Sequence, residues 1–225
     1  RLHLRGTPFR SLFQYDPLRT LATLSQGFGD GFSGKRSVPF PCEAPHHLNQ
    51  PALPIIATLT EAIHKRKAVQ ITYVSLTSGE TVREIVPHTL VDNGLRWHVR
   101  AYDRLQQSFR DFVLTRVKQC SLLLEPTMND SEQSTNDEQW NSIVTLELVP
   151  HPNLKHKEAI ALDYAMVDGL KTVQVRAAMA GYLLRLWNVD CSADHHLTGA
   201  EYQLWLRNSA CLAVAHNARL APGMS

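Results

Sequence analysis

No stretch of this chain approaches 18 consecutive apolar residues, and its opening RLHLRGTPFR lacks the apolar core of a secretion signal. A membrane-spanning helix and a signal peptide are therefore not expected, and a cytoplasmic location is. Cysteine is scarce and scattered. The four residues Cys42, Cys120, Cys191 and Cys211 form no Cys-x-x-Cys pair in 225 residues, which predicts reduced thiols and not a disulfide framework. Missing too are the hydrolase signatures Gly-x-Ser-x-Gly and His-Glu-x-x-His, any internal repeat and any heptad run. Apolar residues are not lacking: 44% hydrophobic against 20% charged content excludes disorder as the default. The chain opens on Arg1 and not on methionine, so a further N-terminal piece is expected ahead of it.

Charge of one sign is not abundant, the net being +2, but it is unevenly placed. Residues 63–118 hold ten lysines and arginines against five acidic residues, and the remainder is net acidic. The middle third is therefore the candidate for holding an anion.

Asp16 and Pro17 ahead of LRTLATL predict a short helix, and the Gly, Ser and Pro of 27–45 predict a loop. Residues 55–67 carry Ile55, Ile56, Leu59, Ala62 and Ile63 at helical spacing and end on His64-Lys65-Arg66-Lys67, cations suited to a helix C-terminus. The period then changes to two. Strands are predicted at 69–76, 82–86, 87–91, 95–102 and 109–117, with turns at Ser78-Gly79 and Asp92-Asn93-Gly94. Short strands behind one helix predict a small β-barrel of the SH3 or Sm type. Residues 129–139 (NDSEQSTNDEQ) hold no basic and no large apolar residue and read as solvated linker. Beyond them the patterns predict a strand at 143–149, a helix at 155–166, a strand at 172–177, a helix at 179–187 and a terminal helix within 201–217, a ferredoxin-like α/β domain. The expected class is α+β: connector 1–54, barrel 55–128, linker 129–140 and second domain 141–225.

Side chains alternate across a strand, so Arg96, His98, Arg100 and Tyr102 share one face of 95–103, while Leu95, Trp97, Val99 and Ala101 share the core face. The same rule sets Arg110 with Arg116, and Tyr73 with Ser75. Convergent guanidinium forks and hydroxyls are what recognition of phosphate or carboxylate requires. The plainer alternative is a solvated outer face.

The string AVQITYVSLTSGETVREIVPHTLVDNGLRWHVRAYD at 68–103, followed by FRDFVLTRV at 109–117, resembles the WYL-domain family, in the branch found in regulators of bacterial anti-phage defence operons and usually called BrxR or CapW. GYLLRLWNVD at 181–190 is similar to the WCX domain that follows the WYL domain there, and the name-giving Trp-Tyr-Leu triplet stands here as Trp97-His98-Val99. The resemblance implies a winged helix-turn-helix that binds operator DNA, a WYL barrel that senses a ligand, and a WCX domain that helps form a homodimer. Residues 1–50 show no helix-turn-helix pattern, so the first of these is expected outside this chain. It thus implies the sensing and dimerising part of a transcription repressor and not an enzyme. Carried over by position, the ligand face is Tyr73, Ser75, Arg83, His88, Arg100, Arg110 and Arg116, with Arg96 and His98 as weaker members; Arg83 and His88 rest on the motif alone. The expected ligand is nucleic acid or a nucleotide-like anion, with no cofactor and no metal. The alternative is a nucleic-acid-binding accessory module attached to another effector.

Weaker signals remain. Gly29-Asp30-Gly31-Phe32-Ser33-Gly34-Lys35-Arg36 nearly spells a phosphate loop, but Arg36 stands where a hydroxyl would hold magnesium. Cys42 with His46 and His47, and Cys191 with His195 and His196, share a spacing that could supply zinc ligands, incidental polar loops being the plainer reading. Ser75 and His88 could meet as nucleophile and base, but catalysis by them leaves the arginines unexplained. Trp140, Trp187 and Trp205 are expected as core or interface anchors, and His151, His156 and His216 as surface residues.

Overall fold

The structure, a computed structural model, describes residues 48–124 and 128–224. The expected helix behind Pro17, the loop at 27–45, the near phosphate loop and Cys42 with His46 and His47 lie outside the described residues.

Helix α1, Leu53–Lys65, forms where the periodicity placed it. Pro54 sits in its first turn, where a missing N–H costs nothing, and Ile55, Leu59 and Ala62 make a buried stripe. The helix stops at Arg66, which takes a left-handed conformation (φ 52°), while the Lys67 N–H closes on the Ala62 carbonyl. Five antiparallel strands follow: β1 Val69–Ser75, β2 Gly79–Asp92, β3 Trp97–Asp103, β4 Ser108–Val113 and β5 Val117–Leu122, in the order β4-β3-β2-β1-β5. Val69, Ile71, Ile85, Val99 and Ala101 are fully buried against Leu59 and Ala62 of α1. At about 1.5–3 kcal/mol for each large side chain, this contact holds the first core together.

Three expectations fail here for local reasons. Residues 82–86 and 87–91 are one 14-residue strand and not two. Pro87 is tolerated because the register with β3 shifts between Pro87 and Thr89, leaving His88 as the extra residue of a bulge. The strand expected at 109–117 breaks at Leu114–Arg116, a 3-10 turn that sends the chain across to pair with β1 as β5. The barrel expectation is not met in its closure: β4 and β5 are the two edges and do not pair.

The segment read as solvated linker is ordered against the first sheet. It holds two 3-10 turns and a short helix α2, Glu138–Asn141, and Glu132 and Asp137 are 3% and 1% exposed. These two side chains are counter-ions for arginines, a partnership that composition alone does not reveal.

The second sheet comprises β6 Ile143–Pro150, β7 Lys171–Arg176, β8 Val189–Asp190 and β9 Leu204–Leu206, in the order β7-β6-β9-β8 with β8 parallel to β9. Helix α3, Lys157–Asp163, lies between β6 and β7, and α4, Ala177–Leu186, between β7 and β8. This βαβαββ succession is not the βαββαβ of a ferredoxin-like domain. Leu204 and Leu206 alternate inward as a strand, and 3-10 turns at Ser209–Val214 and Ala218–Leu220 replace the expected terminal helix. Val144, Leu146, Leu148, Leu184, Leu204 and Leu206 form the second core. In α4 the small residues Ala177, Ala178, Ala180 and Gly181 are buried; a Cβ on Gly181 would stand 2.0 Å from the Asn217 carbonyl oxygen. Both sheets belong to one compact unit covering residues 49–225.

Among the described residues no helix is long and apolar enough to cross a membrane. The described cysteines, Cys120, Cys191 and Cys211, are free thiols. Burial, helped by the charge of Asp190, pushes the Cys191 thiol up to about 12. Since the thiolate is the nucleophile, native Cys191 is expected to resist iodoacetamide at neutral pH and to react after denaturation. Mass spectrometry checks this, and native alkylation at the rate of a free thiol would contradict it.

Candidate ligand site

The polar face of β3 is covered, not solvated. Arg100, 5% exposed, gives Nε to Asp137 Oδ2 (2.6 Å), Nη2 to Asp137 Oδ1 (2.8 Å) and Nη1 to Asp111 Oδ1 (3.0 Å). His88, the bulge residue, sets Nε2 3.1 Å from Asp137 Oδ2 and Nδ1 2.9 Å from Thr89 Oγ1. Burial opposes the Asp137 charge, but the hydrogen bonds from His88 and Arg100 outweigh it and hold the carboxyl down at about 2. Asp137 also accepts from the Trp140 N–H, capping α2. Two further arginines are similarly satisfied: Arg83 donates to buried Asp103 (2.5 Å), and Arg104 to Glu132 (2.7 and 3.0 Å). Buried guanidinium groups need such partners, because an uncompensated charge is not tolerated in a core.

A second group contains arginines without an ion pair among the described residues. Tyr73, Arg96, His98, Arg116, Tyr182 and Arg185 line a cavity of about 250 Å³, with Asp111 in its wall. Among the described residues no carboxylate pairs with Arg96, Arg116 or Arg185. Asp111 is already engaged, accepting from Arg100 and from the Tyr182 hydroxyl (3.1 Å). The turn before β3 sets Arg96 in place: Asn93 Oδ1 accepts the N–H groups of Leu95 and Arg96 (3.0 Å each), and Gly94, at φ 81°, lies against Leu186 of α4. Tyr73 packs edge-on against Phe112 and accepts the Val113 N–H at its hydroxyl. His98 is 4% exposed and tilted over Tyr182 at 5.4 Å, and its Nδ1 has no hydrogen-bond partner among the described residues. Burial lowers its pKa and the charges of Arg96 and Arg116 add to this, while Asp111 and a hydrogen bond to the Arg96 backbone oppose it; the net shift favours the neutral ring.

The nine residues expected on one face therefore do not share it. Tyr73, Arg96, His98 and Arg116 meet at the cavity; His88 and Arg100 meet at Asp137; Arg83 is tied to Asp103. Arg110 is exposed beside Ser108 (3.3 Å), and Ser75 bonds within its own turn to Thr77. Arg116 parts from Arg110 because it sits on the 3-10 turn after β4. Trp97, expected in the core, is 39% exposed, and His151, expected at the surface, is 2% exposed and bonded to Asp190. Cys191 and His196 spend their polar atoms on Val189 O and Asp194, and among the described residues no three metal-ligating side chains come together. Sequence reasoning missed Tyr182 and Arg185, which lie more than sixty residues beyond the last arginine of the first sheet. It also missed Glu132, although Asn129-x-x-Glu132 has capping-box spacing, with the Asn129 N–H donating to Glu132 (2.8 Å).

Residues 54–122 match the WYL domain, and residues 143–212 match the C-terminal dimerization domain of the BrxR transcriptional regulator. The chain belongs to this family of WYL-domain regulators. It is similar to the DNA-binding transcriptional repressor CapW of Stenotrophomonas maltophilia, with 35% identity over 164 residues, covering 68% of this chain and 54% of that protein. CapW of Escherichia coli strain KTE188 is 32% identical over 157 residues (68% and 51%), and CapW of Pseudomonas aeruginosa 37% over 139 residues (60% and 45%). The chain spans about half the length of these relatives. The matches are to regulators and not to an enzyme family. Arg96 and Arg116 fall in the WYL match, Tyr182 and Arg185 in the BrxR match, and Glu132 and Asp137 between the two.

Proposed function

We propose that this chain is the ligand-sensing and dimerising portion of a DNA-binding transcription repressor of a phage-defence operon, working in the cytoplasm. The observation that carries this reading is the succession of a WYL match and a BrxR C-terminal match in a chain whose relatives are named DNA-binding transcriptional repressors. Operator contact belongs to the part of the relatives' length that the match does not cover. The BrxR-type domain joins two copies. The WYL domain takes a nucleic-acid or nucleotide-like anion through Tyr73, Arg96, His98 and Arg116, a reading supported by arginines that pair with no carboxylate among the described residues. Arg100 stands behind this wall through its bond to Asp111.

Signalling follows from differential affinity. An anion that prefers one dimer geometry shifts the population toward it and changes the spacing of the two DNA-binding heads; equal affinity for both geometries would shift nothing. The full-length gene product is expected to retard its own upstream DNA in a gel shift, and Arg116→Ala to alter the response to nucleotide without abolishing DNA binding. Binding to upstream and unrelated DNA with equal strength would remove the repressor reading and favour an accessory nucleic-acid-binding module.

A further inference from the structure

We propose that the ligand site is shared between the two domains, with Arg185 and Tyr182 of α4 completing a receptor for a single phosphoryl group that Arg96, Arg116 and His98 begin. The inference rests on the reading of the WYL domain as a sensor and adds which residues of the second domain take part and what size of ligand fits.

Three observations meet at this place. The first is charge: Arg96, Arg116 and Arg185 come from a turn, a 3-10 turn and the last turn of α4, and no described carboxylate pairs with them. Guanidinium groups that line one cavity without carboxylate partners leave their donors available to an anion placed between them. The second is an orphan. His98 is nine-tenths buried in the cavity wall, and its Nδ1 has no partner among the described residues, an arrangement that costs free energy until something bonds to it. In its Nδ1–H tautomer the ring donates to a phosphoryl oxygen, which can only accept. The third is size. A half-open cavity of about 250 Å³ has room for one phosphoryl group between the three arginines.

The ligand then acts as a clasp. Arg96 and Arg116 are fixed to the first sheet and Arg185 to α4, so one phosphate held by all three ties the sheets together. Tyr182 is the hinge side of the clasp: its hydroxyl donates to Asp111 and its ring lies against His98. Binding at the WYL face is thereby felt directly by the helix that packs the second core.

Calorimetric titration of the full chain with adenosine 5′-monophosphate, inorganic phosphate, adenosine, and a DNA tetranucleotide with and without a 5′-phosphate tests this. We expect adenosine monophosphate or the 5′-phosphorylated tetranucleotide to bind, and adenosine and the unphosphorylated DNA to bind at least about tenfold more weakly. Arg116→Ala, Arg185→Ala and Arg185→Gln should each weaken the phosphorylated ligand by about tenfold or more, whereas Lys155→Ala, an exposed cation of the second domain, should not. Loss in Arg116→Ala with full affinity in both Arg185 variants would overturn the shared site while leaving the sensor reading intact. Failure of the unmodified chain to bind any phosphorylated probe would overturn both. Adenosine binding as tightly as its monophosphate would overturn the phosphoryl assignment.

Discussion

Asp137→Ala is expected to cost about 3–5 kcal/mol of folding stability, because it strands a guanidinium that is 5% exposed and otherwise held on both edges. The loss is not that of a surface ion pair, whose worth is about 0–1 kcal/mol. Asp111 still reaches Arg100 through Nη1, but Nε and Nη2 would face the space left by the carboxylate, and His88 Nε2 would lose its partner too. Asp137→Asn is the informative companion. It keeps an acceptor and the cap on the Trp140 N–H but removes the charge, so its loss should fall between wild type and the alanine variant. The pH dependence carries a definite sign. The Asp137 carboxyl lies near 2 against an ordinary 3.8, so its contribution is complete above the ordinary value and fades as pH falls toward 2. Urea unfolding at neutral pH and in this acid window should show wild type losing more stability than Asp137→Asn; parallel losses would remove Asp137 from its place as principal counter-ion.

Gly181→Ala separates helix propensity from packing by sign. In an exposed helix interior the change would stabilise by about 1 kcal/mol. Here the new Cβ would lie 2.0 Å from the Asn217 carbonyl oxygen, a backbone atom that cannot swing aside. Accommodating it requires α4 and the turn at Asn217 to separate, which endangers the bonds from the Gly181 N–H to Asn217 Oδ1 (3.1 Å) and from Asn217 Nδ2 to Ala178 O (2.6 Å). A destabilisation of at least about 3 kcal/mol is expected, combining overpacking with lost buried hydrogen bonds. Chemical denaturation measures it, and a neutral or stabilising result would mean that the two segments are not in contact.

What the sequence made legible was periodic. Helix α1, the hairpin of β1 and β2, the turn before β3 and the strand β6 follow from spacing and turn residues, because each is decided within a few residues. What it concealed was pairing over distance. Asp137 and Glu132 read as solvated because polar composition is identical for a free linker and for counter-ions to buried arginines 37 and 28 residues away. Arg116 and Arg110 read as one face because the break at Leu114–Arg116 carries neither glycine nor proline. Arg185 lay on a helix whose small residues announced close packing but not what its last turn would approach. The family likeness supplied the candidate residues; only the coordinates divided them into neutralised and available groups.

The extra residue at His88 makes β2 change parity. Before Pro87, odd-numbered positions such as Arg83 and Ile85 are the buried ones; because Pro87 pairs with Ala101 and Thr89 with Arg100, counting by twos across His88 no longer tracks one side. Deleting that single residue would turn the remainder of the strand over, presenting Leu90 and Val91 to the wrong neighbours at once. Length between Ile85 and Asn93 is therefore held more tightly than residue identity.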